Sequence, residues 1–322
     1  MTDFESRLSA LETLIKRENS PRLQQESVDI FETILKRLDN LEDAVFLISK
    51  ESQKTKKAVV DSKTEISELP SRLVEAVNQR RVLLFTGAGI SATVGIPTAN
   101  ELLSIIQEKA SLHEVTDFAN TMSIAEAKIG RHELVSTILT SLRKDGHPPS
   151  KVHSLIASIP FDVIVTTNFD TLLETAFSFA GRTCFTVVSP DELVYADTSD
   201  ILLIKIHGSI DRPDSLILTS SEYRTFEAQK SLLVQTLTYY FVTRTVLFVG
   251  HSLRDESILR VIQDIGTKLG AHKRPVYFVG LSDDKAVIDR MKDVWPVIFI
   301  EENAESFFEK LSIAISHNSE ER

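Results

Sequence analysis

The sequence predicts an α/β protein, a doubly wound, mostly parallel sheet preceded by an all-helical arm. Three observations carry this. All 11 glycines lie at or after Gly87, so the chain has two compositional halves. From Leu69 onward, short apolar runs alternate with amphipathic stretches, the pattern of buried parallel strands joined by helices. Four of those runs end in polar, mostly glycine-containing turns, at the strand ends where open α/β sheets bind ligands. The 322 residues fit roughly two domains, at about 150 residues each.

The arm is read over residues 1–68. Phe4, Leu8, Leu11 and Ile15 recur at helical spacing, an apolar stripe on one face. Ser20-Pro21 has the form of an N-cap followed by proline in the first turn. Phe31, Ile34, Leu38, Leu41, Val45 and Ile48 then alternate spacings of three and four, which is a heptad seam. The seam fades in Glu51-Ser52-Gln53-Lys54-Thr55-Lys56-Lys57, a solvated helix or linker. Such an arm either packs on the domain that follows or serves oligomerisation or partner binding, and both readings stand at this point.

The second domain is read over residues 69–322. Its apolar runs are Val82–Thr86, Phe161–Thr167, Ile201–Ile206, Thr245–Val249, Val276–Val279 and Val297–Ile300. Amphipathic stretches between and after them include Thr98–Lys109, Thr171–Ala180, Glu256–Lys268, Asp284–Asp293 and Ala304–Ser316.

Composition narrows the function. The single cysteine, Cys184, excludes an internal disulfide and a multi-cysteine zinc site, so no metal is expected. The net charge of −10 argues against the broad basic surface of non-specific nucleic-acid binding. The acidic, amphipathic N-terminus lacks the form of a secretory signal. No apolar run approaches the roughly 20 residues of a membrane span, so a soluble, cytoplasmic protein is expected.

The chemistry concentrates at four strand ends. The first strand runs into Gly87-Ala88-Gly89-Ile90-Ser91, a turn that lets backbone amides approach a pyrophosphate. A dinucleotide fingerprint would place a third glycine at 92, where this chain has Ala92. The second run continues as Thr166-Thr167-Asn168-Phe169-Asp170. Asp170 suits capping of the next helix, whereas Asn168 lies too early for a cap and suits substrate contact. The third gives Lys205-Ile206-His207-Gly208-Ser209, with a histidine, the usual general base near neutral pH, at the strand end. The fourth gives Val249-Gly250-His251-Ser252-Leu253-Arg254-Asp255.

These four elements, in this order over roughly residues 70–300, resemble the Sir2 superfamily. The resemblance implies a Rossmann-like domain that binds NAD+ and breaks the nicotinamide–ribose bond. The chain departs from the zinc-bearing sirtuin deacylases. After His207-Gly208 it reads Ser209 to Thr219 with no cysteine, after the glycine loop Gly95-Ile96-Pro97-Thr98-Ala99-Asn100 with no arginine, and it has Thr167 where deacylases carry glutamine. Gly-Ile-Pro-Thr, Thr-Thr-Asn-Phe-Asp, Ser220-x-x-Tyr223 and Gly-His-Ser-Leu-Arg-Asp look like the Sir2-like NADase branch of bacterial anti-phage systems.

That resemblance implies an NAD+ hydrolase yielding nicotinamide and ADP-ribose, or a cyclic form, acting as a defence effector that depletes NAD+. Gly87, Ala88, Gly89 and Ser91 would cradle the pyrophosphate, with Thr167 among the NAD+-binding residues. Gly250 and Ser252 would line the adenosine side. Asn168 would bind the nicotinamide ribose or position the water, His207 would accept a proton, and Asp170 would orient the loop. A homo-oligomer is expected, with a HerA-type ATPase or another sensor as possible partner. The alternatives are an NAD-dependent protein deacylase and a non-catalytic nucleotide-sensing scaffold.

Overall fold

The computed structural model describes residues 69–113, 117–143, 148–198, 200–251, 256–281 and 285–320. The arm expected over residues 1–68, with its seam, lies outside the described residues. Residues 68–322 form one compact unit.

A short helix α1 (Ser71–Asn78) leads into β1 (Val82–Thr86), a strand with no exposed position. Three helices follow, α2 (Ala99–Ala110), α3 (Phe118–Ile129) and α4 (Arg131–Arg143). Then come α5 (Lys151–Ser158), β2 (Val163–Thr166), α6 (Leu172–Phe179), β3 (Cys184–Val187) and β4 (Ile201–Lys205). Helices α7 (Ser220–Gln229) and α8 (Ser231–Thr243) precede β5 (Thr245–Val249). The chain closes with α9 (Glu256–Leu269), β6 (Val276–Gly280), α10 (Lys285–Lys292), β7 (Val297–Glu301) and α11 (Ala304–Glu320).

The seven strands form one sheet in the order β3-β4-β2-β1-β5-β6-β7, and every pairing is parallel. This is the doubly wound, Rossmann-like sheet that the alternation predicts. The six expected strands are present with small shifts of their ends, and β3 is an addition. It is a half-buried edge strand of four residues, too short and too mixed to read as an apolar run.

Side chains alternate across the sheet. Leu83 and Phe85 of β1 face a core with Phe241 of α8 and Ile262 of α9. Leu84 faces the opposite core with Ile156 of α5, Phe177 of α6 and Phe308 of α11. Such positions are costly to empty, at about 2–5 kcal/mol for a buried Leu→Ala. Helices α2 to α4 hold a third core of their own through Ile106, Met122 and Ile138, joined by Ile210, Leu216 and Leu218 from the segment after β4.

The register positions the functional elements. Thr86 pairs with Thr166 on one side and Val249 on the other, and Thr166 pairs with Lys205. The last residues of four neighbouring strands are therefore level. The chain also changes direction here, because β2 extends the sheet to one side of β1 and β5 to the other. A crevice at the carboxyl ends of strands flanking such a reversal is the usual ligand position in open α/β sheets.

Candidate functional site

The turn after β1 and the turn after β5 meet backbone to backbone. The Gly89 amide donates to the Gly250 carbonyl at 2.9 Å and the Gly87 amide to the Val249 carbonyl at 3.3 Å. A β-carbon on Gly87 would lie 2.7 Å from the Gly250 oxygen, and one on Gly89 would lie 2.9 Å from it. Gly250, at φ +65°, would press on the Ile90 amide in turn. The glycines expected to admit a pyrophosphate thus have a packing reason first. The Ser91 amide is likewise spent, on the Ala88 carbonyl at 3.1 Å. Half-buried Ala88 and exposed Gly89 are the parts of the turn open to solvent.

Ser91 turns inward and is almost fully buried. Its Oγ accepts from Asn168 Nδ2 at 3.1 Å and lies 3.3 Å from His153 Nε2. The second hydrogen of Asn168 Nδ2 reaches Asp170 Oδ2 at 3.4 Å. Since a carboxylate only accepts, this contact decides which way the Asn168 amide points, and its Oδ1 faces elsewhere. That Oδ1 is buried with no hydrogen-bond partner among the described residues, in a side chain only 8% exposed. A buried acceptor left open normally costs about 1–3 kcal/mol, and such atoms mark places where a ligand or water completes the set.

Asp170 has a second duty. Its Oδ1 accepts from the Leu172 amide at 3.1 Å, satisfying one donor at the start of α6. The expected capping and loop-orienting roles of Asp170 therefore coexist in one side chain. The loop is tied further by Asn168 N–H to Thr166 Oγ1 at 3.1 Å and by Thr167 N–H to the Thr86 carbonyl at 3.3 Å. Thr167 itself is half-buried.

His153, at the start of α5, joins this set unannounced by the sequence. Ser150 caps α5 in a reciprocal capping box with His153 as the third helical residue. The Ser150 amide donates to His153 Nδ1 at 3.2 Å, so the hydrogen of the neutral ring sits on Nε2 and is donated to Ser91. Burial pushes the imidazole down to about 4, opposed by the charge of Asp170. The available signal was the Ser150-x-x-His153 spacing, which reads as a helix start and says nothing of what the far side of the ring touches.

His207 follows β4 and is buried. Its ring packs edge-on against Tyr223 at 5.1 Å and against Phe226 at 6.1 Å, both on α7. Tyr223 Oη lies 3.5 Å from His207 Nδ1. Gly208 has φ +91°, and a β-carbon there would strike the Ser215 carbonyl oxygen at 2.3 Å. Only glycine fits that turn. It sends the chain through a tight excursion that returns with the Ile217 amide donating to the His207 carbonyl at 3.0 Å. Arg131 holds the returning segment from outside, donating to the Leu216 carbonyl at 2.8 Å and pairing with Glu222 at 3.0 Å.

The structure therefore brings Ser91, Asn168 and Asp170 into one hydrogen-bonded set, with His207 at the next strand end. Gly87, Ala88, Gly89, Thr167 and Gly250 lie on the same sheet edge. Ser252, expected on the adenosine side, lies outside the described residues. Among the described residues, no group of three or more His, Cys, Asp or Glu side chains is placed to hold a metal ion. No described helix is long and apolar enough to cross a membrane.

Comparison with known proteins places relatives beside this chain. Residues 162–312 match the model of the SIR2-like domain family. Over 216 residues it is 27% identical to the NAD(+) hydrolase ThsA of Enterococcus faecium, covering 66% of this chain and 45% of that protein. The NAD(+) hydrolase ThsA of Cytobacillus dafuensis is 24% identical over 66% of this chain and 44% of its own length. The Defense-associated sirtuin 2 of Bacillus subtilis is 23% identical over 64% of this chain and 21% of that protein. The chain thus spans less than half the length of these relatives. A solved Sir2 homologue, a point mutant in complex with ADP-ribose, superposes with a TM-score of 0.50 at 14% identity, covering 79% of this chain and 99% of the other. That likeness shows the fold.

Proposed function

We propose that this chain is an NAD+ hydrolase that breaks the bond between nicotinamide and ribose. The observation that carries the reading is the buried, unpartnered Oδ1 of Asn168, with its amide oriented by Ser91 and Asp170. An acceptor so placed suits a donor, and both a ribose hydroxyl and a water molecule are donors. The dinucleotide would lie along the edge formed by the turns after β1 and β5, with its pyrophosphate over Ala88 and Gly89.

Nicotinamide leaves with the electron pair of the glycosidic bond, and the ribose carbon becomes oxocarbenium-like. Water adds its oxygen to that carbon and gives up a proton, which His207 accepts. Asn168 Oδ1 holds the water or a ribose hydroxyl in line, and Ser91, which accepts from both Asn168 and His153, keeps its own proton for a ligand oxygen. The products are nicotinamide and ADP-ribose, or a cyclic form if an adenine nitrogen takes the place of water. The names of the relatives support a defence role that depletes NAD+. A homo-oligomer, a cytoplasmic location and a co-encoded ATPase or other sensor subunit belong to the same reading.

The test is nicotinamide release from NAD+ by the purified chain, with and without an acetylated peptide. Release without peptide is expected. Release only with peptide would make it a deacylase, and NAD+ binding without release would make it a sensing scaffold.

A further inference from the structure

Lys205 is the last residue of β4 and is 0% exposed, the one lysine buried to this degree among the described residues. An ammonium group has three donors and no acceptor, and here all three are used. They go to the Phe169 carbonyl at 3.3 Å, to the Asp170 carbonyl and to Glu174 Oε1 at 2.9 Å. Two of these acceptors belong to the loop that carries Asn168 and Asp170, and the third lies in the first turn of α6. Two residues past the lysine, beyond the end of its strand, is His207. The intervening Ile206 carbonyl is braced from the other side by Lys230 Nζ at 3.0 Å.

Stability is a weak reason for this arrangement. Burying an ion pair costs several kcal/mol per ion in desolvation, and apolar replacements of such pairs are often neutral or stabilising. The Glu174 Oε2 atom is itself buried without a partner among the described residues, so the pair is not an optimised one. A saturated, inaccessible ammonium cannot touch substrate either. What it does is join two strand ends whose side chains must act on the same atoms.

We propose that Lys205 is a positioning residue, which fixes the Asn168–Asp170 loop against the His207 strand end and so sets the distance between them. The catalytic part of this inference rests on the NAD+ hydrolase reading, while the mechanical part does not. Displacement of a reacting group by about 1 Å can cost roughly 10²-fold in rate.

The experiment compares the full-length chain with Lys205→Met and with Lys205→Met combined with Glu174→Gln. The single variant leaves the half-buried Glu174 carboxylate without its partner and is expected to lower the melting temperature. The double variant removes that acid and is expected to regain most of it. Its kcat for nicotinamide release should nevertheless stay about 10²-fold down, with KM for NAD+ changed by less than about threefold. Hydrogen exchange of the 167–171 amides should be about tenfold faster or more in the double variant, with β6 unchanged. A double variant with restored melting temperature and kcat within about threefold of the parent would overturn the proposal. If the parent chain releases no nicotinamide, the hydrolase reading fails. The exchange measurement then decides alone, faster loop exchange sustaining the positioning role and unchanged exchange ending it.

Discussion

The two strand ends that carry the candidate chemistry are held in opposite ways. The loop after β2 is fixed by directional hydrogen bonds, from Asn168 to Ser91 and Asp170, from Asp170 to the Leu172 amide, and from Lys205 to two backbone carbonyls. The His207 ring beyond the end of β4 is set by shape, against Tyr223 and Phe226 with a glycine turn behind it. Hydrogen bonds dictate which atom of an amide faces the site, which matters for Asn168 because its two ends have opposite hydrogen-bonding character. Aromatic packing dictates where a ring sits and does not by itself fix which ring nitrogen carries the proton. An orienting group and a proton acceptor call for these two kinds of support.

The sharpest way to break the comparison is to remove one member of each side. Asn168→Ala and His207→Ala should each lower nicotinamide release by roughly 10²–10⁴-fold, the range for losing a positioned acid or base. The melting temperature should move by only a few degrees in His207→Ala. In Asn168→Ala it should fall little or rise, because an open buried acceptor disappears. Near-parental turnover in either variant would remove that residue from the mechanism.

A smaller effect probes the polar side through His153. Its folded value of about 4 lies below the 6.5 of a free imidazole. The unfolded chain therefore binds more protons between those limits, and stability present above pH 6.5 is lost as pH falls towards 4. The loss is on the order of 3 kcal/mol. Urea unfolding at pH 7 and pH 4.5 should show it, and His153→Gln should flatten the difference. An equal slope in the variant would assign the acid sensitivity to other groups.

The smallest effect is expected at the aromatic side. Tyr223→Phe keeps the ring against His207 and removes the 3.5 Å contact of its hydroxyl with Nδ1. A bond that long is worth at most about 1 kcal/mol, so kcat should fall by no more than about fivefold. The pH profile of kcat should shift more than KM. A loss as large as that of His207→Ala would mean that Tyr223 handles a proton itself.

Much of the fold was legible because parallel strands buried on both faces leave continuous apolar runs. Val82–Thr86 and Thr245–Val249 match their runs residue for residue. The strand Cys184–Val187 escaped because an edge strand of four half-buried residues has no such run. At the site, Asn168, Asp170 and His207 stood out as polar residues directly after apolar strands. Lys205 and His153 did not, for a shared reason. Each looks locally ordinary, a charge at the exit of a strand and a residue in a helical first turn. Their partners lie far away in sequence, at 35 residues for the Asp170 carbonyl and 62 for Ser91. Local pattern reports what a residue's neighbours are, whereas these two residues are defined by what the sheet brings opposite them.

The glycine contacts between the turns after β1 and β5 have one further consequence. Gly87, Gly89 and Gly250 abut main chain to main chain, with the His251 and Ile90 side chains beside them, so the gauge of the crevice at that point is set chiefly by peptide geometry. Any β-carbon added there would wedge the two halves of the sheet apart. Altered preference among nucleotides would have to come from the crevice walls, never from its floor, which makes this seam a poor target for engineering and a sound fixed reference against which movements of the walls can be measured.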